Sequence, residues 1–150
     1  MPPKTAPGTL GTLYSASAIA SGELLDGRVR TIDGGLDIVL AKPKELGGDG
    51  RGNNPFQLLA AAYSASFHAA LHAVFPRETP KFPPDAAVQA TVAFGLRPDG
   101  GFGLEVVLDI KLPGIERTHA EALIEKAHHI CSVCDATRKE VLQIKLVETS

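Results

Sequence analysis

Cys131 and Cys134, spaced Cys-x-x-Cys within AHHICSVCDATR, are the only cysteines of the chain. A pair at this spacing can cycle between dithiol and disulfide, and a thiolate can accept oxygen as sulfenic acid and return. Redox pairs commonly sit at a helix N-terminus, where the dipole lowers the thiol pKa. Here the preceding helical stretch runs to about Ile130, so the pattern places both thiols after a helix C-terminus, which disfavours a thiolate. Arg138 or His128 is close enough in sequence to compensate. His128 or His129 with the two thiols makes three soft ligands, but a fourth at convincing spacing is absent, and no metal is expected. The plainest reading is two buried, unreactive thiols packed as small hydrophobes. No cofactor motif accompanies them.

Other candidates are weaker. Ser66 has no G-x-S-x-G elbow around it. His68 and His72, at about 100° per residue, project roughly 200° and 240° away from it on a helix, so neither serves it as a base. The two histidines, four residues apart, lack the Glu and third ligand of a zinc site and read as core or subunit-contact residues. Gly47-Gly48-Asp49-Gly50 has no Lys-Ser/Thr after it and reads as a connector rather than a phosphate loop.

The elements that must position these residues are legible in outline. Asn54 to Pro76, NPFQLLAAAYSASFHAALHAVFP, contains no charged side chain although 21% of the chain is charged. Asn54 is a good N-cap, Pro55 suits the first helical position, and Gln57 can reach back to the cap. A helix here is about 30 Å long and apolar or small on every side, so protein must surround it. A membrane span is the rival reading. The serines, Gln57 and two histidines weaken it, and no basic or aromatic belt flanks the stretch. Leu13–Ser21, Arg28–Ile32 and Leu36–Leu40 read as strands, the first two joined by a turn over residues 23–27. Ala86–Arg97 and Phe102–Leu112 form a hairpin about Pro98-Asp99-Gly100-Gly101. Thr118-x-x-Glu121 predicts a capping box opening a second helix, and Leu142, Ile144 and Leu146 alternate in a closing strand. The order βββ-α-ββ-α-β defines an α+β fold.

At 150 residues and 44% hydrophobic, the chain suits one domain, residues 12–150, after a flexible arm at 1–11. A net charge of −2 gives no footprint for nucleic acid, and no segment suits a membrane surface. The opening MPPKTAPGTLG lacks the apolar run of a secretory signal, and two cysteines do not make a disulfide framework. A cytoplasmic, reducing location is expected.

NPFQLLAAAYSASF resembles the NP-x-Q-L-x-A-A-x-Y-x-A-C-F signature of the organic hydroperoxide resistance proteins of the Ohr/OsmC family. LYSASAIASG, DGGLDIVL, KPKELGG, GGFGLEVVLDIKLPGIER and AHHICSVCDATR extend the similarity over nearly all of Leu13 to Val147. The resemblance implies an intertwined homodimer with both central helices held between two sheets and two sites at the subunit junction. A helix greasy all round asks independently for a second cover. By the same resemblance Ser66 stands where the family carries its peroxide-reactive cysteine, and Phe56 where an acidic residue follows Asn-Pro. Leu25 stands in the place of the hairpin arginine, while Arg28 matches a second, non-catalytic one. Cys131 matches the resolving cysteine, Cys134 a family serine, and Arg138 with Asp135 the structural N-A-T-R turn.

Two functional expectations follow. In the first, loss of thiol, acid and base leaves an apolar interface pocket, with Leu25, Phe56, Tyr63 and Ser66 at its wall, that binds or transforms a hydrophobic small molecule. In the second, Cys131 with Cys134 reduces organic hydroperoxides at the expense of a lipoyl-type dithiol.

Overall fold

The computed structural model describes residues 10–23, 26–76, 80–137 and 142–148. The chain divides into two compact units, one ending at Asn54 and the other beginning at Pro55.

The first unit is an antiparallel three-stranded sheet, β1 (Ala18–Glu23), β2 (Asp26–Thr31) and β3 (Asp37–Leu40), in sequential order. β1 starts later than the apolar pattern suggests. Pairing begins only where Ser17 accepts the Ile32 N–H at 2.9 Å, and Leu13 and Tyr14 lie exposed before it. On one face Arg28 clasps Asp37 through two hydrogen bonds of 2.6 and 2.7 Å; Val29, Ile38 and Leu40 point to the other. After β3 the chain makes a single 3-10 turn, Lys44–Leu46, closed by Gly47 at φ 88°. It then returns beside β3, where Ala41 donates to the Asn53 carbonyl at 2.8 Å and Asn53 to that of Val39 at 3.0 Å. That bridge delivers the chain to the buried Asn54.

The second unit opens with α1 (Pro55–Val74), its proline at the first helical position as the sequence predicts. β4 (Ala87–Leu96) and β5 (Phe102–Lys111) form the expected hairpin, and β6 (Leu142–Leu146) adds parallel to β5. In the turn Gly100, at φ 88°, donates to the Arg97 carbonyl at 2.9 Å. Val106, Leu108 and Ile110 alternate inward from β5. They meet Tyr63, Phe67 and Leu71 of α1 and Leu123 and Ala127 of α2 (Arg117–Ile130) in one core. Each large apolar side chain fully buried there contributes about 1.5–3 kcal/mol.

Three features differ from the pattern-based expectation. Glu116, not Thr118, caps α2: its carboxylate accepts the N–H groups of Thr118 and His119, both at 3.0 Å. A carboxylate brings two acceptors and a negative charge to the orphan N–H groups, and those bonds hold its pKa below the usual range. Glu121 instead takes the Arg117 guanidinium at 3.0 Å. Secondly, a short helix α3 (Ser132–Ala136) follows α2, too brief to leave a periodic signature. Thirdly, among the described residues of the second unit α1 is covered on one side only. Tyr63, Phe67, Ala70 and Leu71 are buried, whereas Ala61, Ala65 and Ala69 are exposed. Among the described residues no helix is long and apolar enough to cross a membrane.

Candidate redox site

Tyr63 and Ser66 lie three residues apart on α1 and so share a face. That face meets α3 at both ends. Ser66 Oγ is 3.7 Å from the Sγ of Cys131, the residue that caps the start of α3. Tyr63 donates to Thr137 Oγ1 at 2.5 Å, and Thr137 caps the end. The Thr137 hydroxyl is in turn within reach of the carbonyls of Val133 at 3.3 Å and Cys134 at 3.2 Å. Thr137 was not singled out from the sequence, although the A-T-R run containing it carried a signal.

Cys131 occupies two roles in the backbone. Its N–H closes α2 on the Ala127 carbonyl at 2.9 Å, and its sulfur opens α3 by accepting the Cys134 N–H at 3.4 Å. Both thiols follow the C-terminus of α2, as the sequence predicts, and a second, short helix also begins on the Cys131 sulfur. Both cysteines are free and buried, at 1% and 5% exposure. The neighbouring Cys134 side chain, with the Cys134 and Val133 backbone and the Ser66 hydroxyl, lowers the Cys131 pKa to about 6 against the opposing effect of burial. Cys134 moves the other way, because its proton is held by Cys131, burial disfavours its charge, and a second negative sulfur would be repelled. Burial likewise raises the Tyr63 phenol.

The remaining candidates lie elsewhere. His68 and His72 both pack edge-on against Phe82, with ring centroids 5.3 and 4.9 Å away, which is the divergence from Ser66 that helical geometry predicts. Phe56 begins a run of stacked rings, 4.8 Å from Phe94, which stacks in turn on Phe102 at 5.2 Å. Phe102 is 66% exposed. Leu25 and Arg138 lie outside the described residues. No three His, Cys, Asp or Glu side chains converge as metal ligands among the described residues.

Comparison with known proteins places this geometry in context. The family model for OsmC-like proteins matches residues 48–146. An organic hydroperoxide resistance protein of Xanthomonas axonopodis pv. citri is 41% identical over 130 residues, covering 86% of this chain and 90% of that one. An uncharacterized protein of Acinetobacter baylyi is 43% identical over 129 residues, covering 86% and 89%. A crystal structure of an organic hydroperoxide resistance protein from Legionella pneumophila aligns with a TM-score of 0.80 at 38% identity, covering 90% of this chain and 96% of that one.

Proposed function

The chain belongs to the OsmC-like family, and we propose that it is a thiol-dependent reductase of organic hydroperoxides in which Cys131 attacks and Cys134 resolves. The observation that carries this reading is the adjacency of two buried, free thiols, with the Cys131 sulfur accepting the Cys134 N–H at 3.4 Å and lying 3.7 Å from the Ser66 hydroxyl. The names of the relatives supply the substrate class.

The Cys131 thiolate attacks an oxygen of the hydroperoxide, the O–O bond breaks, and the sulfur becomes a sulfenic acid. The departing alkoxide takes a proton from Cys134 and leaves as an alcohol. Cys134, now a thiolate, attacks the Cys131 sulfenic sulfur and expels hydroxide, which takes a proton from solvent and leaves as water. A lipoyl-type dithiol then reduces the resulting disulfide and is itself oxidised to a cyclic disulfide, a step that suits a reducing cytoplasm. Ser66 takes no covalent part, since a serine alkoxide is scarcely populated near neutral pH and oxygen cannot climb the oxidation ladder of sulfur.

The working unit in this reading is a homodimer. The exposed alanine face of α1 and the exposed Leu13, Tyr14, Ile32 and Val39 of the first unit call for a cover that a second copy supplies. The family resemblance points the same way. Nucleic acid and membranes are not partners in it.

The test is turnover of cumene hydroperoxide with dihydrolipoamide. The wild type turns over, Cys131→Ser is inactive, and Cys134→Ser gives a single equivalent of alcohol with a dimedone-trapped sulfenic acid on Cys131. A second reading, a binder of a hydrophobic small molecule, is favoured by the Phe56–Phe94–Phe102 stack, of which Phe94 and Phe102 are exposed. Absence of turnover together with a co-purified apolar ligand in native mass spectrometry would replace the first reading with this one.

A further inference from the structure

We propose that Ser66 is a positioning residue for Cys131: its hydroxyl, 3.7 Å from Sγ, donates the hydrogen bond that holds the reacting sulfur as a thiolate against α1. This rests on the reading of Cys131 as the attacking sulfur.

Serines inside helices commonly spend their proton on a carbonyl of the preceding turn. Ser64 does so, donating to the Ala61 carbonyl at 3.1 Å. Ser66, two residues on and turned by about 200°, is half-buried and directed at Cys131 instead. Its hydroxyl stays protonated across the pH range in which a thiol ionises, so toward a thiolate it acts as donor. Two neutral donors then converge on one sulfur from two elements: the Ser66 hydroxyl from α1 and the Cys134 N–H from α3. No cation is needed to hold that charge, because a buried anion can be stabilised by hydrogen bonds alone when they are several and preformed.

The contact is also selective. The α1 hydroxyl faces Cys131, so Ser66 favours charge on that one of two chemically identical side chains. A cysteine at position 66 would be a poorer donor and a competing nucleophile. Serine there removes one sulfur from the site and organises another.

The experiment is the pH dependence of iodoacetamide labelling of Cys131 in the reduced full-length protein, with the labelled peptide identified by mass spectrometry. Ser66→Ala moves the midpoint up by about one unit, so that labelling below the midpoint slows about tenfold. Ser66→Thr, which keeps the hydroxyl, stays near the wild-type midpoint. Tyr63→Phe, which cuts the tie at the far end of α3, changes the rate but not the midpoint. An unshifted midpoint in Ser66→Ala, or an equal shift in Tyr63→Phe, overturns the proposal. Peroxide turnover is scored separately. A shifted midpoint in a protein without turnover sinks the reductase reading and spares this one. Cys131-dependent turnover with an identical midpoint in Ser66→Ala does the reverse.

Discussion

Tyr63 and Thr137, 74 residues apart in sequence, share a 2.5 Å hydrogen bond that fastens the end of α3 to the middle of α1. The start of α3 is the sulfur of Cys131, so this bond clamps the short element on which the redox pair is built. Helices of so few residues are not stable by themselves and persist only where tertiary contacts hold both ends.

Replacing Tyr63 by Phe is therefore expected to cost about 1 kcal/mol, at the low end because Thr137 retains two carbonyl acceptors. Urea denaturation measures the loss. The same variant should label faster at both cysteines, since they are buried when α3 is seated. A stability loss with no gain in labelling rate would mean that α3 stays in place without the clamp.

The thiol pair makes stability depend on pH in two opposite senses. Folded Cys131 ionises at about 6, below the ordinary thiol value of about 8.5, so its contribution is complete above the ordinary value and is lost as pH falls through 6. Folded Cys134 resists ionisation, so above the ordinary thiol range the unfolded state sheds a proton that the folded state keeps, and stability declines. Denaturation midpoints at pH 5, 7.5 and 10 should peak at the middle value. The double variant Cys131→Ser/Cys134→Ser should lose most of that curvature, and a profile unchanged by it would refute the assignment.

Light scattering at micromolar concentration is expected to give twice the chain mass. Ala65→Arg, which places a charge in the exposed small-residue face of α1, should yield monomers, because an unpaired charge buried at an interface costs several kcal/mol. A wild-type monomer would end the dimer reading.

Ser66→Cys should restore a sulfur opposite Cys131. The two atoms need approach only from 3.7 Å to about 2.05 Å for a bond, a distance side-chain rotation can supply. Peroxide treatment is then expected to yield a peptide cross-linked between Cys131 and the new cysteine. Exclusive cross-linking of Cys131 to Cys134 would show that position 66 is held away from the sulfur once oxidised.

Much of this was legible in the chain. An uncharged run opened by Asn54-Pro55 reads as a long helix, Pro98-Asp99-Gly100-Gly101 reads as a tight turn, and alternation at Leu142, Ile144 and Leu146 marks the closing strand. These are local signals, written in side-chain period and turn chemistry, and α1, the β4–β5 hairpin and β6 follow them within a residue or two. Motif resemblance added the family, which the whole-chain similarity bears out.

What spacing could not decide is where one helix stops and the next begins around Cys131. The five residues of α3 span little more than one turn, too short for any period, and their conformation depends on contacts from α1 made 65 and 74 positions away. Read alone, Cys-x-x-Cys after a helix C-terminus predicts inert thiols. Folded, the same sulfur is a cap with two donors aimed at it, because tertiary packing as well as sequence order sets the field in which a thiol ionises.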